Sequence, residues 1–381
     1  MTHNIYADNA ATTRIDNNAL EAMMPFLLEQ YGNASQPYSF SRHSRKAIQN
    51  ARTNIASCIN ANSNEIYFTS GGTESDNWVI KSFANNPSFQ NIIITSNIEH
   101  HAILNACEAI SKNTQIIKLP VDNQGTVIID SLRSALNDIR SYKSNSRILV
   151  SIMTANNEIG TIQPIKKLSK ISHEYGALFH TDAVQAVGHM LIDVRNMDID
   201  MLSASAHKFN GPKGIGFLYM RDGLQLCPFI DGGKQENGLR AGTENTASIV
   251  GMSVALKNNI DAIEQNAHLI TELEHQLFER LDSSKIDYIR NGSKNHIPGN
   301  ISLSIKNANG EMILHRLDLK GIYISTGSAC DSKNTQISHV IKAIGLDKNY
   351  AEGTIRISLG KYNTLEEIDA IAAELINILS A

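Results

Sequence analysis

Two kinds of hydrophobic pattern alternate along the first two thirds of the chain. Short, nearly continuous apolar runs lie at residues 66–69, 91–95, 147–153, 177–181, 198–203 and 214–220. They read as buried strands, because a sheet covered on both faces asks for apolar side chains on both sides of the pleat. Between them lie stretches of helical character: 16–30, with Leu20, Met23, Met24, Leu27 and Leu28 at helical spacing, then 44–59 and 168–175. Further helices are expected to open near Trp78 and at residues 98–101. Repeated strand–helix units predict a doubly wound, mostly parallel sheet.

The pattern changes after a loop at residues 232–246. Residues 247–281 carry apolar positions three and four apart (Ile260, Ile263, Ile270, Leu273, Leu277, Leu281) and predict one long amphipathic helix leading into a second, α+β domain. There 300–305 alternates like a half-buried strand, 310–317 is helical, 321–325 and 354–359 read as strands, and 364–379 closes as a helix. Residues 4–13 read only as a short entry segment.

Open α/β sheets bind ligands beyond the carboxyl ends of their strands. Thr73, His100, Asn157, Asp182 and the loop Ser205 to Gly214 all fall just after a predicted strand. Within that loop Lys208 stands between two apolar runs, with Gly211, Pro212 and Gly214 forcing a turn behind it. A desolvated lysine gives up its proton more easily and can then form a Schiff base. The glycine turn Gly71-Gly72 sits between a strand and a helix, where free backbone N–H groups can face an anion, and Thr73 and Asp76 have capping-box spacing. Plainer alternatives stand beside each reading. Lys208 could reach out to water, Asp182 could cap a helix, His100 and His101 could be turn residues, and Arg356 could pair with a surface carboxylate.

Composition narrows the function classes. The 381 residues are 42% hydrophobic and 19% charged, with a formal charge of −4, an ordinary globular balance. No basic block suggests nucleic acid or anionic lipid, no apolar run reaches membrane length, and the first thirteen residues lack a signal-peptide pattern. A cytoplasmic protein is expected. The four cysteines form no CxxC pair, so neither a metal site nor a disulfide frame is expected. Cys58, Cys107 and Cys227 read as structural thiols in apolar surroundings, whereas Cys330 lies in a small, polar segment.

Eight segments carry a family resemblance: SGGTESDN (70–77), Glu99-His100-His101, NNEIG (156–160), HTDAVQ (180–185), SAHKFNGPKG (205–214), LRAGTEN (239–245), STGSAC (325–330) and RISLG (356–360). In order and spacing the chain resembles the pyridoxal-phosphate cysteine desulfurases of the nitrogen-fixation and iron–sulfur assembly type, from about Tyr6 to the C-terminus. The resemblance implies a fold type I pyridoxal-phosphate-dependent transferase with a seven-stranded-type sheet. Residues 15–258 would form the large domain, and 1–14 with 259–381 the small one. It implies that Lys208 holds the cofactor as a Schiff base, that Asp182 pairs with the pyridine nitrogen, and that His100 stacks on the ring. Asn157 and Gln185 would lie near the phenolic oxygen, Asn157 also near the substrate. Gly72, Thr73, Ser205 and His207 would cradle the phosphate, and Thr243 would reach the phosphate of a neighbouring subunit in a homodimer. Arg356 would clamp the carboxylate of L-cysteine. Lys208 would then move the Cα proton, and Cys330 as a thiolate would take the sulfur as a persulfide and pass it to an acceptor, a cluster scaffold or a tRNA-thiolation enzyme. No metal, membrane or direct nucleic-acid contact is implied. Two alternatives remain, a lyase for selenocysteine or another β-substituted amino acid, and a sulfur-transfer scaffold without catalysis; a class-V aminotransferase would not need the Cys330 segment. The chain departs from the family pattern at Tyr38, Lys234, Asp331 and Ile337, positions outside the ring-binding set.

Overall fold

The computed structural model describes residues 4–85, 90–142, 146–326 and 337–380. Cys330 and its neighbours therefore lie outside the described residues. The chain opens with β1 (Ile5–Tyr6), α1 (Asn17–Leu28) and α2 (Arg42–Cys58). Then follow β2 (Ile66–Thr69), α3 (Gly72–Ala84), β3 (Asn91–Ser96), α4 (His101–Ile110), β4 (Gln115–Leu119) and α5 (Ile129–Tyr142). The large sheet is completed by β5 (Arg147–Ser151), α6 (Ile165–Glu174), β6 (Leu178–Asp182), β7 (Met201–Ser205) and β8 (Gly216–Met220).

The seven strands lie in the order β2-β8-β7-β6-β5-β3-β4. The pairs from β7 to β4 are parallel, while β8 runs antiparallel to both of its neighbours. Consequently β2, β3, β5, β6 and β7 all end on the same edge. Ser205 pairs with Gly216, so the Lys208 loop is the hairpin connection at that edge. Every residue of β2, β3, β7 and β8 is buried, as continuous apolar runs require.

The second half carries α7 (Thr246–Asp261), α8 (Ile263–Asp282), β9 (Tyr288–Asn291), β10 (Asn300–Ile305), α9 (Gly310–Asp318), β11 (Ile322–Tyr323), α10 (His339–Ala343), α11 (Lys348–Ala351), β12 (Thr354–Ser358) and α12 (Leu365–Ser380). A three-stranded antiparallel sheet, β12-β10-β9, carries its own core, including Ile301, Leu303, Ile355, Ile357, Leu273 and Ile368. β1 pairs in parallel with β11, tying the N-terminus to this half.

Several expectations are corrected. The helix after β2 begins at Gly72, not near Trp78, and Asp76 does not cap it: Gly71 is the N-cap, and the Ser70 N–H donates to Glu74. The stretch 247–281 forms two helices, not one, broken at Ala262. α7 packs on α1 and α2 while α8 packs on α12, so two partners pull one apolar stripe in two directions. β10 is buried throughout, not half-buried, because Asn291 Nδ2 donates to Ser302 Oγ and Ser304 Oγ and satisfies its polar face. Cys227 is exposed: the loop there contributes its backbone, whose carbonyl accepts from Trp78 Nε1, not its thiol. β4, α5, β9, α10 and α11 had no counterpart in the sequence reading.

Candidate active site

The strand ends surround a cavity of about 540 Å³. Lys208, Asp182, His100, Asn157, Gln185, Ser205, His207, Gly72, Thr73 and Arg356 all line it. They come from the ends of β2, β3, β5, β6 and β7 and, in the case of Arg356, from β12 of the smaller sheet.

Lys208 is half-buried, and its Nζ donates to the carbonyls of Ala10 (2.6 Å) and Ala11 (2.8 Å). The Ala10 carbonyl also accepts from Gln185 Nε2 at 2.9 Å. His207 Nδ1 lies 3.2 Å from Thr12 Oγ1, and the Thr13 N–H donates to the His207 carbonyl. The N-terminal segment is thus a wall of the cavity. Nothing in its sequence foretold this, because backbone carbonyls serve here and carry no side-chain signature.

Asp182, at the end of β6, is 5% exposed, and its Oδ1 accepts from the Val184 N–H at 2.9 Å. Burial raises its carboxyl, opposed by His100, that N–H and Lys208. His100 caps α4: its Nδ1 accepts the Ala102 N–H at 3.1 Å, so the neutral ring carries its proton on Nε2. Burial lowers His100, against the pull of Asp182. His207 is pushed down to about 4 by burial and by Lys208 and Lys213. Glu99, fully buried beside His100, takes the Met153 N–H on both oxygens (3.1 and 3.0 Å) and is pushed up to about 8 by burial. It locks the end of β3 to the segment after β5.

Arg356 is 2% exposed. Its Nη2 donates to Asp8 Oδ1 (2.6 Å) and its Nη1 to the Asn157 carbonyl (2.9 Å), while its buried Nε has no hydrogen-bond partner among the described residues. The turn before α3 supplies a tight cradle: a Cβ at Gly72 would overlap the Val184 methyl. Gly72 and Thr73 open the helix, where backbone N–H groups have no acceptor within the helix itself.

One described residue singled out by sequence is not brought to the cavity. Thr243 is exposed on the loop before α7 and does not line it, and Cys330 lies outside the described residues. The structure adds Asp8, Asp76, His101 and His339. His339, at the start of α10, packs against His101 with ring centroids 5.0 Å apart and planes tilted by 59°, and lies 3.0 Å from the Glu99 carbonyl through Nε2. Asp76 and His101 stand inside segments already singled out in the sequence, whereas nothing local flagged Asp8 or His339.

The class-V aminotransferase family model matches residues 5–371. The cysteine desulfurase IscS of Dictyoglomus turgidum is 47% identical over 372 residues, covering 97% of this chain and 93% of that protein. Among solved structures, a NifS-like protein superposes with a TM-score of 0.91 at 36% identity, covering 99% of this chain and all of its own. The structure of SspA in complex with cysteine superposes with a TM-score of 0.82 at 34% identity, covering 94% of this chain and 100% of that one. With the strand-end lysine, the buried aspartate and the buried arginine all on one cavity, the chain belongs to the cysteine desulfurases of the class-V aminotransferase family.

Proposed function

We propose that this chain is a pyridoxal-phosphate-dependent cysteine desulfurase. It takes sulfur from free L-cysteine onto Cys330 as a persulfide, releases L-alanine and hands the sulfur to an acceptor protein. The observation that carries this reading is that one cavity is lined jointly by Lys208, Asp182, His100 and Arg356, two of them from different sheets.

The residues fit the cofactor. The first-turn amides of Gly72 and Thr73, the Ser205 hydroxyl and the neutral His207 ring are the donors a phosphate needs. One Asp182 oxygen is tied to Val184, leaving the other for a ring N–H. Asn157 and Gln185 suit the phenolic oxygen, His100 the ring face, and Lys208 Nζ the aldehyde carbon. When bound, pyridoxal phosphate supplies a ring that accepts electrons from the substrate Cα.

The protein's own groups do the rest. Arg356, already aligned by Asp8 and the Asn157 carbonyl, binds the substrate carboxylate with its planar fork. Lys208 Nζ takes the Cα proton and later returns one. His100 Nε2–H exchanges protons with the substrate at the mouth of the site. Cys330, as a thiolate, attacks the substrate sulfur: the Sγ–S bond forms, the Cβ–S bond breaks, and the released electron pair is protonated to give the methyl group of alanine. The enzyme thiol is oxidised to the persulfide level as the substrate carbon is reduced. In a cytoplasmic homodimer, the exposed Thr243 of one subunit would serve the phosphate of the other. A cluster scaffold or a tRNA-thiolation enzyme would then accept the sulfur.

The test is direct. With L-cysteine and a reductant the purified chain should form alanine and sulfide in equal amounts. Cys330→Ala should keep the cofactor absorbance band and lose the persulfide, and borohydride should fix the cofactor to Lys208. A chain that stays colourless with pyridoxal phosphate, or a Cys330→Ala variant that transfers sulfur undiminished, overturns the reading. Selenocysteine turnover that survives Cys330→Ala while cysteine turnover is absent would mark a selenocysteine lyase instead.

A further inference from the structure

A second carboxyl that the proposed reaction does not use lies on α3, which packs on β6, where His180 and Asp182, two residues apart, share one face. Asp76 sits in the second turn of α3, is 1% exposed, and lines the same cavity. Among the described residues no ordinary N–H or O–H donor reaches either of its oxygens. An ionised carboxylate in such a place needs a cation or several donors.

Among the described residues its surroundings supply no cation. His180 Nε2 lies 3.8 Å from Asp76 Oδ1, but the two ring nitrogens of His180 already face Ser151 Oγ (2.9 Å) and Ser203 Oγ (3.0 Å). Burial pushes that imidazole down to about 3, so it is neutral at pH 7. Glu99 and Asp182 are acids and oppose a further charge. The nearby Ser203 hydroxyl favours the ionised form, but burial and Asp182 outweigh it and hold Asp76 well above the usual carboxylate range. Lys208 and the N–H edge of the neutral His100 ring favour the charge on Asp182 instead. Two neighbouring buried carboxyls, with Lys208 and the His100 N–H favouring the charge on one of them, resolve into one acid and one carboxylate.

We propose that Asp76 is a positioning residue that keeps its proton at neutral pH and donates it in a hydrogen bond to Asp182, so that the pair carries a single negative charge on Asp182. The proton is shared, not transferred, and no net chemistry occurs at Asp76. The arrangement gives the orphaned Asp76 carboxyl a partner. It also keeps Asp182 ionised in a buried site, since a donated hydrogen bond lowers its affinity for a proton. The consequence for the cofactor rests on the function proposed above: one charge on Asp182 matches one ring N–H.

The first test is infrared spectroscopy on the cofactor-free full-length chain at pH 7. The spectrum of wild type minus that of Asp76→Asn should contain a carbonyl band of a protonated carboxylic acid, distinct from the band removed by Glu99→Gln. The second test is cofactor affinity. Asparagine is a neutral donor of similar shape, so Asp76→Asn should bind pyridoxal phosphate within about threefold of wild type, whereas Asp76→Ala should lose roughly tenfold, the size of one hydrogen bond to a charged group. Absence of the acid band, or a loss of roughly tenfold or more already in Asp76→Asn, overturns the proposal. If no variant and no wild-type sample binds pyridoxal phosphate, the function proposed above falls, while the infrared result still decides where the proton sits.

Discussion

Arg356 shows what a single residue contributes and what it requires from others. The guanidinium is buried and held by one carboxylate and one carbonyl, contacts that a point charge cannot reproduce together. Arg356→Lys is therefore expected to raise KM for L-cysteine by roughly 10- to 100-fold, from the loss of about 1.5–3 kcal/mol of charge-assisted bonding, with a smaller change in kcat. Steady-state kinetics check this. Half-buried His207 and fully buried Glu99 set opposite slopes of stability against pH. His207 is pushed from 6.5 to about 4, so between those values the unfolded chain binds more protons than the folded one, and stability falls as pH drops through that window. Glu99 is pushed from 4.5 to about 8, so the folded chain holds the extra proton, and stability falls as pH rises from 4.5 towards 8. Urea midpoints measured across pH should show the acid arm flattened in His207→Gln and the neutral arm flattened in Glu99→Gln. Lys208, Asp182 and Arg356 were legible in the sequence because each stands in a distinctive run. Asp8 and the carbonyls of Ala10 and Ala11 were not, since an aspartate in an entry segment or a bare backbone group looks like any other.

At the scale of elements, the site depends on how closely two turns approach. β8 passes against the turn before α3 at Gly216, where a Cβ would collide with the Ala204 carbonyl oxygen and the Gly71 Cα. Both obstacles are backbone and cannot rotate away. Gly216→Ala is expected to cost about 1–3 kcal/mol in urea unfolding, as overpacking does, and to weaken pyridoxal phosphate binding because the Gly71-Gly72 turn would have to move. The strands of the large sheet were readable because burial on both faces leaves continuous apolar runs. Helix boundaries were less so. The start of α3 at Gly72 is set by the tight turn after β2 and not by the first apolar residue of the helix. The break at Ala262 has no glycine or proline to announce it, because it follows from the separate partners of α7 and α8.

Across the whole molecule, the N-terminal segment joins parts that are far apart in sequence. β1 pairs with β11, the Asn9 N–H donates to the Ser358 carbonyl, Asp8 meets Arg356, and the carbonyls of Ala10 and Ala11 accept from Lys208. Removing residues 1–9 should therefore lower the melting temperature by roughly 5 °C or more and raise KM for cysteine, as scanning calorimetry and kinetics would show. Among the described residues no helix is long and apolar enough to cross a membrane. The sequence by itself determined the doubly wound sheet, the strand-end placement of the lysine, histidine and aspartate, and the family, because apolar periodicity and short ordered motifs are local properties. Only the tertiary structure decided that Asp76 and Asp182 are buried on one cavity, that the first residues wall it, and that an arginine from the second sheet lines it too. Those relations join positions up to hundreds of residues apart, and their energies come from burial and pairing that no local stretch of chain contains.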